Sequence, residues 1–413
     1  YDALKRLVRT TYADGAQVNN TYDAAGRLIA VTDALGNITS YQYDAAGQRT
    51  RVIDPLGIQT SYIHDPNGNQ TSITDANGRI TQYEYDAQNR RTRTVFPDGT
   101  TIDVTYDGLG RKIAETDQAG VTTQFLYDAL SRLIQVTDAL GGVTSYTYDE
   151  LGNKLTQTDA EGRTTRWTYD NVGNVLSRTL PLGQIETFTY DAHGNKLTHT
   201  DFNGNTVNYS YDSRNRLVRK TYPDASTVAY NYTANGKVAS VIDTSGTTSY
   251  SYDSRDRLIR VDNPDGSFIA YAYDAMGNRT ELTTSAGTVF YTYDALNRLE
   301  SVTDLNGGIA VYSYDSVGNR ASVSYPNGSR TNYIYDSLNR LINLENLRSG
   351  GSIISSYAYT LGAAGNRTRI IEDAGRTVDY TYDALYRLVS EQITDLINGN
   401  SRVDYTYDAV GNR

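Results

Sequence analysis

His64, His193 and His199 are the only histidines in a chain of 413 residues that contains no cysteine. Thiolate metal sites, disulfides and cysteine nucleophiles are therefore excluded, and imidazole base chemistry has few places to sit. His64 stands where a regular pattern would put tyrosine, His193 falls in a turn and His199 precedes one; none has a partner in the sequence, so all three read as packing or surface residues. The loops Asp65–Asn69 ("DPNGN") and Asp201–Asn205 ("DFNGN") carry the oxygen-rich residues of calcium sites. They lack the distant bidentate glutamate of an EF-hand and the nine-residue glycine repeat of a calcium roll, so no metal or cofactor is expected. What the chain has in excess is tyrosine, 37 in all. Tyrosine could line a surface for sugar rings or unfolded polypeptide, or serve as cross-strand packing.

The charge balance narrows the partners. Lys and Arg number 38 against 48 Asp and Glu, a formal net charge of −10. Nucleic acid is an unsuitable partner, because phosphate neutralisation needs surplus cations. The arginines and lysines that follow the tyrosines, such as Arg27, Arg111, Arg132 and Arg298, sit close to turn aspartates and read as exposed ion pairs. No apolar run of about 18 residues exists, so no helical membrane span is expected. The chain opens at Tyr1 and its one methionine is Met276, which reads as an excerpt of a longer polypeptide.

The elements that must position these residues follow from a repeat. Tyr-Asp recurs seventeen times between Tyr1 and Tyr407, and His64, Tyr232 and Tyr359 occupy three further positions of the same ruler. The spacing is 21 residues up to Tyr232, 20 or 21 up to Tyr335, then 24, 23 and 25. A single array over 1–413 is expected, regular over 1–344 and looser, with loop insertions, over 345–413. Two residues before nearly every anchor stands another aromatic, as in Tyr41 with Tyr43, Tyr83 with Tyr85, Tyr146 with Tyr148 and Trp167 with Tyr169. The same holds for Tyr209 with Tyr211, Tyr271 with Tyr273 and Tyr312 with Tyr314. Residues two apart share a face only in a strand, so "YxYD" predicts a strand end.

Each unit divides in half at a second turn. Asp33 and Gly36 bracket one turn and Asp44 and Gly47 the next, and Asp138, Gly141, Asp149 and Gly152 repeat the arrangement. Asp at the first corner and Gly where φ must be positive is a type I turn signature. All seven prolines follow the residue that opens such a turn, where no ladder donor is lost. The prediction is all-β: a continuous antiparallel meander of about twenty two-strand units with no useful helix. Adjacent residues face opposite ways, so an odd repeat length requires one turn per unit to absorb an extra residue. About 40 strands at roughly 4.8 Å give about 190 Å of ribbon, which is expected to curl into about one loop of a large hollow spiral shell, or an arc of one.

The pattern "GRL…TDALGN.T.Y.YD", whole from Gly26 to Asp44 and again from Arg132 to Asp149, resembles the RHS or YD repeat, and the resemblance covers essentially the entire chain. That family includes bacterial Rhs polymorphic toxins, the paired shell components of Tc toxins and the teneurin barrel. The resemblance implies a β-sheet cocoon, secreted or at the cell surface, that encloses a toxic C-terminal cargo until delivery, with no enzymatic role of its own. Its implied partners are the cargo polypeptide or the rest of the shell, and a secretion apparatus or surface receptor. The plug and cargo segments of such toxins are absent, and no catalytic residue carries over; Asp54-Pro55 and Asp65-Pro66 lie at ordinary turn positions. The alternatives are an extracellular adhesion module for glycan or protein, and a scaffold that self-associates edge to edge through its terminal strands.

Overall fold

The computed structural model describes all 413 residues, and the chain is all-β. Thirty-eight strands, mostly of five to seven residues, form one sheet. The strand Ile38–Tyr43 pairs antiparallel with Leu28–Thr32 before it and with Arg49–Ile53 after it, and the same pattern recurs along the chain. The turns match their chemistry. In Asp33–Asn37 the Gly36 amide donates to the Asp33 carbonyl at 3.1 Å and the Asp33 amide to the Asn37 carbonyl at 2.9 Å. The Asp33 carboxylate accepts the Leu35 and Asn37 amides, closing the turn from inside. Prolines 55, 66, 97, 181, 223, 264 and 326 all occupy the second position of turns closed by the same two backbone hydrogen bonds.

The odd residue is absorbed at the anchor. The register shifts between Gln42 and Tyr43, between Thr147 and Tyr148, and at the equivalent step of the other units whose pairing is described; in one late unit the step falls between Thr360 and Leu361 and the turn that follows is Gly362–Asn366, so Leu361 holds the anchor place that the spacing assigned to Tyr359, and Tyr359 stands in the column before it. This β-bulge keeps the 21-residue units in phase although their length is odd. Two middle turns are tighter, with Asp243 facing Gly246 and Thr284 facing Gly287 across two-residue loops, which accounts for the 20-residue spacings there.

Very little of the chain is deeply buried. Among apolar side chains only Val323 and Val378, each 2% exposed, belong to a core, and no large side chain is fully enclosed. The accessible surface is 23275 Å², whereas a compact monomer of this mass would expose roughly 16,000 Å². Most residues are half-buried because the sheet carries side chains on two faces.

The residues group into two compact units. One comprises Tyr1–Thr105, Glu115–Thr122 and Tyr271–Tyr405, and the other Tyr106–Ala114, Thr123–Ala270 and Thr406–Arg413. Within the first unit, early and late stretches of ribbon meet along their margins. The Ala34 amide lies 3.4 Å from Met276 Sδ, Arg79 Nη1 donates to Asn339 Oδ1 at 2.8 Å, and Arg340 reaches Asp98 at 3.8 Å. Ser316 bonds Asn77, and the Tyr386 hydroxyl donates to Asp117. Each contact joins a middle turn of the early stretch to an anchor turn 239 to 269 residues later. In the second unit, Glu161 of a middle turn likewise reaches Asp408 of an anchor turn. The margins thus meet after about 24 strands, sooner than the one loop per chain expected from strand spacing alone. A bulge in every unit adds bend and twist that a count of strands omits.

Candidate functional site

The most regular chemistry in the chain is a clasp from one repeat to the next. In Asp23–Arg27 the carboxylate accepts the Arg27 amide at 2.9 Å and Nε at 2.7 Å, which fixes the guanidinium. That guanidinium lies 5.2 Å from the centroid of the Tyr43 ring, sixteen residues on, and donates to the Asp44 carbonyl at 3.0 Å. The Tyr43 hydroxyl then donates back to the Leu28 carbonyl at 2.7 Å. Asp107, Arg111 and Tyr127 repeat the arrangement, as do Asp128, Arg132 and Tyr148, with Tyr148 donating to the Leu133 carbonyl. Where asparagine replaces arginine and the next turn also has asparagine at its fourth place, the bridge changes but persists: Asn69 donates to Asp65 and to Asn89, and Asn319 to Asp315 and to Asn339.

These arginines are therefore more than exposed ion pairs. Each ties a turn to the next, combining a charge-assisted hydrogen bond with a cation over an aromatic face. A signal was present in the sequence, since Arg or Asn repeatedly stands four residues after the opening Asp. Nothing in the spacing said that its second partner would be the following repeat.

The column before the anchors makes a second ladder. Tyr41 pairs with Val52, Tyr83 with Thr94, Tyr146 with Gln157, Tyr209 with Lys220 and Tyr312 with Val323. Successive rings are separated by a strand of the other kind, and cations occupy the intervals. Lys154 lies 5.7 Å from the Tyr146 ring and 4.3 Å from Trp167; Arg279 lies between Tyr271 and Tyr291, and Arg320 between Tyr312 and Tyr333. Tyr169, Tyr211 and Tyr314 donate their hydroxyls to carbonyls of the preceding strand. Burial raises the hydroxyl pKa of Tyr85, Tyr148 and Tyr314.

One stretch of this face differs. Cross-strand pairing sets Trp167 opposite Arg178, Arg178 opposite Glu186 and Phe188 opposite His199. Glu186, 9% exposed, lies 2.6 Å from Arg178 and 3.0 Å from His199, and the His199 ring stacks on Phe188 with centroids 4.7 Å apart. Trp167, Phe188, Tyr190, Arg178 and Lys196 line an open hollow of about 440 Å³ beside it. Sequence reasoning left His199 without a partner because Glu186 is thirteen residues away and only strand register brings the two together. His64 takes its anchor position with Nδ1 buried and unbonded, and the tip of the His193 turn is exposed.

The loops considered for calcium turn their carboxylates inward. Asp65 accepts from the Asn67 and Asn69 amides and from Asn69 Nδ2, and Asp201 from the Asn203 and Asn205 amides and Asn205 Nδ2. The other turn residues lie where the spacing puts them, with Gly47, Gly141 and Gly152 donating to the carbonyls of Asp44, Asp138 and Asp149.

The same inward bonding makes the turns acid-sensitive. The Arg216 amide, then its side chain, draws the Asp212 carboxyl from its ordinary 3.8 to about 2, and Asp2 and Asp23 are lowered by the corresponding arginines. A carboxyl depressed by folding stabilises the fold above its unfolded pKa and loses that contribution as pH falls through the folded value. We expect turn stabilisation to be complete above about pH 4 and to fade between about pH 4 and 2. Circular dichroism on acid titration checks this, and constant thermal stability from pH 5 to pH 2 would contradict it.

Comparison with known proteins places this geometry. The family profile described as Teneurin YD-shell matches residues 65–265, and the RHS Repeat profile matches residues 22–59, 252–289 and 314–351. No curated protein sequence matches the chain. Among solved structures, the TcdB2-TccC3-TEV crystal structure aligns over 95% of this chain and 25% of its own, at 17% identity and a TM-score of 0.62. TcdB2-TccC3 aligns over 97% of this chain and 32% of its own, at 15% identity and a TM-score of 0.62. The Tc holotoxin pore of Photorhabdus luminescens aligns over 99% of this chain and 27% of its own, at 18% identity and a TM-score of 0.60. The chain thus spans about a quarter to a third of the length of these proteins and shares their fold. With the repeat profiles, the anchor columns and this fold in agreement, the chain belongs to the RHS/YD-repeat family.

Proposed function

We propose that the chain is a non-enzymatic wall segment of a secreted or surface-displayed toxin-like shell, whose work is to enclose a cargo polypeptide until delivery. The observation that carries this reading is the sheet's construction: 38 strands with almost no filled core and an accessible surface of 23275 Å², with margins that meet turn to turn within each unit. A hydrogen-bonded wall without gaps keeps proteases out and holds an unfolded cargo inactive. The likeness to the TcdB2-TccC3 fold supports the same role, with the rest of a shell and a delivery apparatus as partners. The aromatic and turn columns serve this wall as packing and corner residues, not as a ligand surface.

The test is protection. An intrinsically unfolded polypeptide enclosed in the complete shell that contains this wall segment is expected to be digested by proteinase K at least about ten-fold more slowly than the same polypeptide free in solution, with protection lost in urea. Equal digestion rates with and without the wall would overturn the reading.

A further inference from the structure

In the column before the anchors, only Asn20 and Val104 are not aromatic. Asn20 makes a bond of its own, donating to the Leu7 carbonyl at 2.8 Å. At Val104 the ladder simply lacks a ring, and a hollow of about 400 Å³ lies there, lined by Val104, Tyr83, Thr94, Phe96, Ile102 and Glu115. Small-ligand sites span about 300–1,000 Å³. Cross-strand pairing sets Tyr83 opposite Thr94 and Thr94 opposite Ile102, so these three share one face with Val104, two residues on. Thr94, 8% exposed, is itself short where the corresponding residues of nearby repeats are Ile73 and Gln157. Two short side chains in one row thus leave the space that a ring takes elsewhere.

The walls suit an aromatic guest. Arg91 lies 5.2 Å from the centroid of the Tyr83 ring. Arg279 and Arg320, likewise six residues after their anchors, each lie against the ring before and the ring after, Tyr271 and Tyr291 for one and Tyr312 and Tyr333 for the other. The ring that would follow Arg91 is the one replaced by Val104. A ring in the hollow would stand to Arg91 as Tyr291 stands to Arg279, at 4.6 Å, and would add cation–aromatic attraction to its burial. Charge disfavours an ionic guest. Arg91 and Arg93 are matched by Glu115 in the hollow and by Asp103, 3.4 Å from Arg93, which leaves no net charge to offset the desolvation of an ion.

We infer that the hollow at Val104 is a binding site for one neutral aromatic side chain, tyrosine above all, carried by a bound polypeptide. In the other repeats this slot is filled by a ring borne on an extended strand, and here the guest supplies it from outside the sheet. Part of the lining is polar, including Thr81, Thr94 and Arg93, so a bare ring matches only some of it, whereas the amides flanking a tyrosine in a peptide match the rest. The inference rests on the gap alone and not on the enclosing role. The unbroken columns remain packing; the break in one of them is the site.

The capped tripeptide Gly-Tyr-Gly, titrated into the full chain and followed by saturation-transfer NMR, tests this. Saturable binding with a Kd of about 1 mM or tighter is expected, at least about three-fold tighter than N-acetyl-L-tyrosinamide and about ten-fold tighter than capped Gly-Leu-Gly. Val104→Tyr restores the missing ring and should weaken binding of the tripeptide at least about ten-fold while raising the thermal midpoint. Val104→Ala widens the hollow and should retain binding. Absence of saturable binding overturns the inference, as do equal binding of the leucine peptide, binding that Val104→Tyr leaves unchanged, or equal loss in both variants. A thermal midpoint lowered by Val104→Tyr would show that no ring-sized space exists. Tighter binding of the tyrosinamide than of the tripeptide would mark a site for free small aromatics and overturn the assignment to a polypeptide.

Discussion

Val378→Asp is expected to destabilise the last repeats by about 3–5 kcal/mol, the cost of a buried carboxylate without a partner. Val378 is 2% exposed in the strand Thr377–Tyr382, with Ile370 opposite it on one side and Ile393 on the other. This row is one of the few places where the sheet excludes water from a side chain, so it cannot hydrate the new charge. In an array of repeats each unit leans mainly on its neighbours, so the damage should be local. Amide exchange should accelerate on the order of a hundredfold or more between residues 367 and 394 while units near residue 150 keep their protection. Val378→Ala should cost only about 1–2 kcal/mol in the same measurement. Exchange unchanged by aspartate would mean that this row is not packed as described.

Gly246→Val is the second large effect, at about 3–4 kcal/mol from backbone strain and overpacking together. Gly246 has φ of +126°, and a Cβ there would stand 2.8 Å from Cβ of Pro264 in the turn two strands on. The tight two-residue loop leaves neither side room to shift, because Asp243 and Gly246 are themselves a paired rung. Gly57 provides the contrast: its φ is +81° but a Cβ would meet nothing within 4 Å. Gly57→Ala should therefore cost about 1 kcal/mol, from backbone conformation alone. Chemical denaturation of the two variants separates the cases, and equal losses would show that the Pro264 contact is unimportant.

The two substitutions probe different links of one chain of cause. Gly246 tests whether turn geometry holds neighbouring hairpins at their spacing. Val378 tests how much the sheet depends on its rare dry positions. A wall one sheet thick has little hydrophobic burial to draw on, so backbone ladders, aspartate-closed turns and the Asp–Arg–Tyr clasps carry more of its stability than they would in a filled domain.

Much of this was legible in the amino-acid order because the determinants are local. Asp and Gly at fixed corners dictate tight turns, prolines avoid ladder positions, and an odd period demands a bulge; each depends on residues within one unit, and the structure places the bulge at the anchors the spacing named, except that Leu361 takes the place expected of Tyr359. Relations between units were not legible. Arg27 reaches the Tyr43 ring, Glu186 joins Arg178 to His199, and Tyr386, with φ of +61° in a slot usually held by Gly or Asn, reaches Asp117 across 269 residues. The point at which the ribbon meets itself depends on small bends summed over about two dozen strands. No single repeat encodes that sum. The sequence alone therefore determines the hairpin and its repetition, while the tertiary structure decides which margins meet.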